Sequence, residues 1–284
     1  MIILLALILF LSLSFYVFQA SIAVNGAYET VSKVVDKERA FILLRSFIPR
    51  AQRLLIKYAN GGEVSLNDPW AKPIVLPTPL GTVNVQVVDL DRYINLNSLK
   101  VPEIRETFAN LLDNLKIDPL LLDRIEMWEG LKPVDNPDIF PYPPPRRPMA
   151  SKYELLLIWN KTDDLYGKKV GPLELPGLLD LVTVHSSGKV NVNTAPYWIL
   201  ISLPGADPAT VDQIIQLRGE RKITNLQQLL GIVDMNLLYR WQRILTTKSR
   251  YFMVTATLNG TAAPTTLWFI YDIQQKKVVQ EGVR

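Results

Sequence analysis

The chain has 284 residues, no cysteine and a single histidine, His185. The lack of cysteine excludes disulfides and thiolate-based metal or redox sites, and one histidine argues against zinc catalysis and against a serine–histidine nucleophile pair. The formal net charge of +4 is mildly basic and falls short of the single-sign field expected of a dedicated nucleic-acid-binding protein. The length exceeds the ~100–150 residues of a usual single domain, which predicts an inserted or second module.

The first 24 residues are predicted to cross a membrane. No charged side chain precedes Glu29, and the apolar run satisfies the ~20 residues that a bilayer-spanning helix needs. A cleaved secretory signal is the alternative, with Ser21-Ile22-Ala23 as a cleavage site of the small-x-small type. The run lacks a basic region before it and exceeds the ~7–15 apolar residues of a signal peptide, so a retained span is favoured.

An amphipathic helix is predicted to continue from this span to residue 60. Apolar residues recur at helical spacing from Val31 to Tyr58, while lysines and arginines fill most of the other face. Glu38 and Arg45 interrupt the apolar stripe. Pro49 is expected to kink or break the helix, because proline removes a hydrogen bond and clashes with the preceding turn.

Beyond the helix, the order of strand and helix signals predicts an α+β head in which helical modules are inserted between strands of a small antiparallel sheet. Residues 60–79 are expected to form a loop. Strand signals fall at residues 82–88, 181–184, 189–193, 251–257, 266–271 and 276–279. The segments at 181–184 and 189–193 are predicted to pair as a hairpin around His185, which is expected to be a surface residue in the turn.

Helices are predicted at residues 103–115, 119–128 and 151–159, followed by a helix–turn–helix group. The third helix begins with Ser151 and Glu154, which have the spacing of a capping box. A proline-rich stretch at 132–148 is expected to be extended. The signals divide the chain into a transmembrane segment (1–24), an amphipathic continuation of the stalk (25–60), a loop with the first sheet strands (61–98), an inserted helical domain (99–180), a sheet hairpin (181–195), a helix-hairpin-helix-like or SAM-like module (196–247) and closing strands (248–284).

Residues 203–208, with the sequence Leu-Pro-Gly-Ala-Asp-Pro, and Arg218 after them have the pattern of a helix-hairpin-helix. In nucleic-acid-binding versions, two glycines of this turn let backbone N–H groups approach a DNA phosphate. Here Asp207 replaces the second glycine, and its carboxylate would lie where the phosphate should. Asp207 fits instead as the N-cap of the next helix, with Pro208 in the first turn. Nucleic acid is therefore not an expected partner. DNA binding by a membrane-tethered protein, through this module, is kept as the alternative function.

The densest acidic cluster could hold Ca²⁺ through carboxylate oxygens. Its candidate ligands are Asp123, Glu126, Asp135 and Asp138, and Glu129 lies beside them in sequence. A solvated acidic edge is the simpler alternative. Asp and Asn residues between 89 and 97 could also bind a cation, but such residues more often end a strand through local side-chain to backbone bonds. The sequence contains no phosphate loop and no nucleophile elbow, so no enzymatic activity is expected.

Several stretches resemble protein K of the type II secretion system, the largest minor pseudopilin. They are Asp91 with Ile94-Asn95-Leu96-Asn97, Arg147-Pro148-Met149-Ala150-Ser151 with Glu154-Leu155, Lys189-Val190-Asn191-Val192-Asn193-Thr194-Ala195-Pro196, Leu203-Pro204-Gly205 with Arg218, and Tyr251-Phe252. The resemblance extends over essentially the whole chain. Its most specific part is Val-Asn-Thr-Ala-Pro at 192–196, followed by the hairpin module.

The resemblance implies a pilin-like fold, with a protruding N-terminal helix packed on a small antiparallel sheet and a large helical insert. It implies an inner-membrane anchor, a periplasmic head at the tip of the pseudopilus, and minor pseudopilins I and J as partners. It also implies calcium in the helical domain, where Asp123 and Glu126 match acidic family positions and Trp128 stands where another aspartate is common. Leu5 stands where most pilins carry a glutamate, which fits a tip subunit. A minor pilin of a type IV pilus is the nearer alternative.

Overall fold

The computed structural model describes residues 2–134, 140–260 and 264–284. The helices are α1 (Ile2–Arg45), α2 (Ile48–Ala59), α3 (Pro102–Asn114), α4 (Leu120–Glu129), α5 (Leu155–Ile158), α6 (Thr162–Tyr166), α7 (Tyr197–Leu200), α8 (Pro208–Glu220) and α9 (Met235–Ile244). The strands are β1 (Ile74–Thr78), β2 (Gly81–Asp89), β3 (Ile94–Asn95), β4 (Gly167–Val170), β5 (Leu173–Pro176), β6 (Val182–Thr183), β7 (Val190–Asn191), β8 (Leu245–Thr246), β9 (Tyr251–Asn259), β10 (Thr265–Asp272) and β11 (Lys277–Val283).

A long helix with one interruption forms the stalk. The change from α1 to α2 falls at Ser46 and Phe47, and Pro49 lies in the first turn of α2. Proline there has no N–H to donate to the carbonyl of Arg45, and its ring crowds that carbonyl, so the break comes just before it. The predicted helix and its proline-induced break are both confirmed.

The head is built on an antiparallel sheet of five strands in the order β1-β2-β9-β10-β11. The end of α1 and all of α2 pack on one face of this sheet. Their buried residues Ala40, Leu44 and Leu55 share a core with Val83 and Phe252 of the central strands. The predicted α+β, pilin-like arrangement of a protruding helix on a small antiparallel sheet is confirmed.

Strand β1 was not predicted, and the loop expected at residues 60–79 is wrong for its second half. The strand contains Pro77, which pairs with Thr82 of β2. Proline weakens the sequence signal for a strand because it lacks the N–H of a ladder bond. It is tolerated here because β1 is the edge strand of the sheet, so only one of its sides has a ladder to complete.

The helical insert begins and ends at the same place on the sheet, where the end of β2 lies beside the start of β9. β2 and β9 are neighbours, Asp89 pairs with Phe252, and residues 90–250 lie between them in sequence. The insert has its own core, in which Phe108, Leu111 and Trp241 are fully buried. Residues from both predicted helical modules contribute to this one core. The predicted insertion of helices between sheet strands is confirmed.

The hairpin predicted for residues 181–195 is wrong. β6 pairs in parallel with β3, and β7 pairs in parallel with β8, so the two segments do not pair with each other. Alternation shows that one face of each segment is buried, but it does not show which segment supplies the pairing. His185, between them, is half-buried, and its Nε2 lies 3.1 Å from Oε1 of Gln280.

Candidate functional site

The most unusual surface of the molecule is the free part of α1. No side chain is buried from residue 2 to residue 39, and Ala40 is the first that packs on the head. At ~1.5 Å per residue this part protrudes by about 55 Å. Its start is long and apolar enough to cross a membrane. The hydroxyl of Ser12 donates to the carbonyl of Ile8 at 2.8 Å, so that polar group needs no water.

An exposed apolar stripe continues along α1 between the span and the head. We name it the stalk seam; its members, each separated by three, four or seven residues, are Val24, Tyr28, Val31, Val35 and Ile42. These side chains are between 40% and 75% exposed. Apolar residues at alternating three- and four-residue spacing are the pattern against which a second helix packs. The seam therefore has the pattern of a surface on which another helix can pack.

Glu38 and Arg45 lie at the same spacing, where the sequence already indicated interruptions. Arg45 already forms an ion pair within the protein, since its Nη2 lies 3.5 Å from Oε1 of Glu281 on β11. It is therefore less free than the seam residues to contact a partner helix. The seam thus ends where α1 begins to pack on the sheet. A partner helix has continuous apolar contact only on the part of the stalk that precedes Glu38.

A buried polar network closes the point where the insert meets the sheet; we call it the root. The carboxylate of Asp89 accepts hydrogen bonds from the hydroxyls of Thr194 at 2.6 Å and Ser249 at 2.7 Å. It also accepts from Nδ2 of Asn191 at 3.3 Å and from the backbone N–H of Asp91 at 2.9 Å. Burial, together with the nearby charge of Asp91, raises the pKa of Asp89 to about 7.

Asp91, at the start of the insert, binds the end of the insert and the loop around Ser187 through backbone groups. Its Oδ1 accepts from the N–H of Ser187 at 2.6 Å, and its Oδ2 accepts from the N–H groups of Arg250 at 2.7 Å and Tyr251 at 3.0 Å. Burial raises the pKa of Asp91 as well. The local bonds from Asp89 to Asp91 and from Asn95 to Asn97 are those predicted for strand-ending residues. The root is structural and has no free ligand atom for a substrate.

The acidic cluster of the insert lies on and after α4, and cations of the chain itself already hold part of it. Nζ of Lys132 lies 2.5 Å from Oδ1 of Asp123 and 2.6 Å from Oε2 of Glu126. The guanidinium of Arg105 contacts both carboxylate oxygens of Glu126. Although burial opposes it, these two cations lower the pKa of Glu126. Asp123 and Glu126 therefore do not fit as calcium ligands while Lys132 bridges them.

Glu129 differs from its neighbours, because its Oε1 is buried without a hydrogen-bond partner in the described part of the chain. Burial, and the charge of Glu154, raise the pKa of Glu129 to about 7. Calcium takes 6–8 oxygen ligands, so one carboxylate oxygen without a partner does not make a site. Within residues 2–134, 140–260 and 264–284, no three potential ligands come together. Asp135 and Asp138 lie outside the described residues, so calcium stays a prediction.

We predict that Lys132, rather than a divalent ion, neutralises the Asp123–Glu126 pair. Replacing Lys132 by methionine should lower the stability by about 1 kcal/mol, since the pair is partly solvated and Arg105 remains on Glu126. Lys116→Met is the matched control, because in the described part of the chain Lys116 pairs only with the exposed Asp113. Equal losses of stability from the two substitutions would show that Lys132 does not neutralise the pair.

The helix-hairpin-helix-like turn is held by contacts within the protein. Asp207 is the N-cap of α8, as predicted, and its Oδ1 accepts from the N–H of Thr210 at 3.0 Å. Gly205 at the turn has a φ of +72°, in the left-handed region that favours glycine. Nη1 of Arg218 donates to the carbonyls of Val192 and Ala195, and burial lowers its pKa to about 10. The arginine that follows the turn therefore supports the loop before α7.

No protein-family model matches the chain, and no curated protein matches it either. Its structure matches one chain in the crystal structure of the GspK–GspI–GspJ complex from the type 2 secretion system of enterotoxigenic Escherichia coli. The match has a TM-score of 0.66 at 17% sequence identity, and it covers 90% of this chain and 99% of that one. The fold is GspK-like.

The GspK-like fold confirms the pilin-like architecture and the structural resemblance that the sequence motifs indicate. Because 90% of this chain is covered and the insert is more than half of it, the likeness includes the helical insert as well as the sheet. The match leaves a remainder of this chain without a counterpart. An identity of 17% transfers the fold alone, so the role of the chain must be argued from its own surfaces.

Proposed function

We propose that this protein is a minor pseudopilin of a type II secretion system and acts at the tip of the periplasmic pseudopilus. The observation that carries the proposal is the free, wholly unburied part of α1 on a pilin-like head. Its first part suits an inner-membrane anchor with the head in the periplasm. Its second part carries the stalk seam, which suits packing against the stalks of other subunits.

The helical insert supports a place at the end of the filament. A subunit that repeats along a helical filament makes head-to-tail contacts on two sides, and its head must fit between its neighbours. A subunit at the tip needs contacts on one side only. The insert forms a second core beside the sheet and enlarges the head well beyond what α1, α2 and the five strands require. Such bulk is compatible with a terminal position, where nothing lies above it.

The proposed partners are minor pseudopilins of the I and J types. GspI and GspJ are the proteins that share the solved complex with GspK. The proposed role is structural. The polar groups of the root bind one another, and those of the hairpin turn bind groups within the same module and the loop before α7. The seam and the span give the chain the surfaces that assembly needs. We propose that the chain also helps to initiate assembly of the pseudopilus.

The decisive experiment is co-purification of the full chain with I- and J-type pseudopilins from the same genome. We expect a stable complex of the three in detergent, and we expect deletion of this chain to abolish secretion of folded proteins across the outer membrane. Size-exclusion chromatography with light scattering measures the first result, and export of a reporter measures the second. A chain that stays monomeric beside both partners would contradict the proposal. Loss of surface pili with normal secretion would instead indicate a type IV pilus.

A further inference from the structure

The outward face of α2 is a row of positive charges. Its exposed side chains after Pro49 are Arg50, Arg53 and Lys57, and we call these three the basic ridge. Residues three and seven positions apart lie on one face of a helix, so the three charges fall within an arc of about 60° and extend over about 10 Å. The opposite face of α2 is buried on the sheet through Ala51, Leu55 and Ala59. The ridge therefore points away from the head.

The basic ridge has no compensating charge in the described ranges of the chain. α2 contains no acidic residue, and none of the three cations forms an ion pair there. Arg50 contacts the ring of Phe47, and Lys57 that of Tyr58. Some arginines elsewhere on the head surface do have partners, namely Arg240 with Glu106 and Arg243 with Glu103. The exposed Arg146 and Arg221 form no ion pair in the described ranges, but they are single charges and do not form a row.

This arrangement works against the stability of α2. A cation in the first turn faces the positive end of the helix dipole, which is the position of Arg50. Arg53 and Lys57 are like charges four residues apart, and such pairs destabilise a helix. Both charge arrangements lower the stability of α2, and no contact in the described ranges compensates for them. Such an uncompensated loss of stability is typical of a functional surface. We expect an anionic partner to supply the favourable electrostatic energy that compensates for it.

The position of the ridge distinguishes between two anionic partners, a membrane surface and a protein. The break after Arg45 lies roughly 30 Å along the helix from Val24, at ~1.5 Å per residue. Attraction between exposed charges is largely screened beyond ~8 Å at physiological ionic strength. Lipid headgroups at the end of the span are therefore too distant. A protein surface next to the stalk is within reach, because the stalk seam on α1, just before the break, presents an apolar strip for a neighbouring helix.

We propose that the basic ridge binds a carboxylate-rich surface on a neighbouring subunit of the filament, an inference that rests on the proposed pseudopilin function. The seam supplies apolar contact for association, and the ridge selects a neighbour with acidic residues in the matching position. Charge complementarity of this kind acts mainly on partner choice and on the rate of association. The ridge would thus favour one minor pseudopilin over another at the same site.

The test compares binding of the full-length chain in detergent to the I and J pseudopilins at 50 and 500 mM salt. The ridge variant carries Arg50→Ala, Arg53→Ala and Lys57→Ala. Its matched control carries Lys100→Ala, Lys161→Ala and Lys277→Ala, three exposed lysines without ion pairs in the described ranges. We expect the ridge variant to bind at least tenfold more weakly at low salt and to lose most of the salt dependence, while the control behaves like the wild type.

Two results would overturn the inference, and they are distinguishable. If the wild type binds I and J and the ridge variant binds them equally well with the same salt dependence, the ridge proposal fails and the pseudopilin function stands. If the wild type binds neither, both fail. Amine labelling of Lys57 in lipid nanodiscs adds an independent measurement. Protection on addition of partners supports the proposal, whereas protection that follows phosphatidylglycerol content without partners would assign the ridge to the membrane.

Discussion

Replacing Val35 by aspartate is expected to reduce the affinity of the chain for the proposed pseudopilin partners about 100-fold. Val35 lies in the middle of the stalk seam and is 40% exposed in the free chain. In a helix–helix contact its side chain would leave water, so an aspartate there would lose the burial of the valine and place an unpaired carboxylate in an apolar interface. Together these effects are worth about 3 kcal/mol, which corresponds to about 100-fold in affinity.

The neighbouring Val34 is the matched control for this substitution. It is 56% exposed and lies about 100° around the helix from Val35, away from the seam. Val34→Asp has the same effect on helix propensity and net charge, and we expect it to change the affinity by less than threefold. The comparison is made by titrating full-length variants into the partner pseudopilins. Equal losses from the two substitutions would show that the stalk is recognised by charge or by the membrane rather than through the seam.

Replacing Asp89 by asparagine is expected to lower the stability of the chain by about 1–3 kcal/mol at pH 5. The hydroxyls of Thr194 and Ser249 and the N–H of Asp91 all point at this carboxyl group. Asparagine presents an NH₂ group to the same donors, so at least one buried donor is left without an acceptor. Unfolding of the full chain in detergent by urea, followed by tryptophan fluorescence, measures the loss. Asp212→Asn, at an exposed position, is the control.

The pH dependence of that loss has a definite sign. Because the folded pKa of Asp89 is raised to about 7 from 3.8, its contribution to stability is fully present below pH ~4 and is lost as the pH rises through about 7. The wild type should therefore become less stable between pH 5 and pH 8. The Asp89→Asn variant should lose less stability over the same range, so the difference in stability between wild type and variant should become smaller as the pH rises. Glu129 keeps a residual slope of the same sign in both proteins. A difference that widens with pH would contradict this assignment.

The features that the sequence predicted correctly are those fixed by neighbours along the chain. The capping box of Ser151 and Glu154 forms as its spacing predicts, and Asp207 caps α8 as its place before a proline predicts. The stalk follows from helical periodicity and one proline. Each of these depends on residues within about one turn, where spacing alone sets the geometry.

The features that were missed depend on residues far apart in sequence. Thr194 and Ser249 meet Asp89 across more than 100 residues. The polar residues inside the alternating stretch at 189–193 were a usable signal, because a polar side chain on a buried strand face needs partners. The parallel pairings of β6 and β7 likewise could not be read from two short alternating runs. The same holds for Lys132, whose position between two carboxylates is set by the chain after α4.

The meeting of β2 and β9 at Asp89 and Phe252 has a consequence for the history of such heads. To the sheet, the whole insert is the loop of a β-hairpin. Loop closure grows only by about 0.6 kcal/mol for each doubling of length, so expanding a four-residue turn to about 160 residues adds roughly 3 kcal/mol. A second core offsets that easily. The strands on either side need not change their register, so an enlarged head can arise from a smaller pilin-like head by one insertion event.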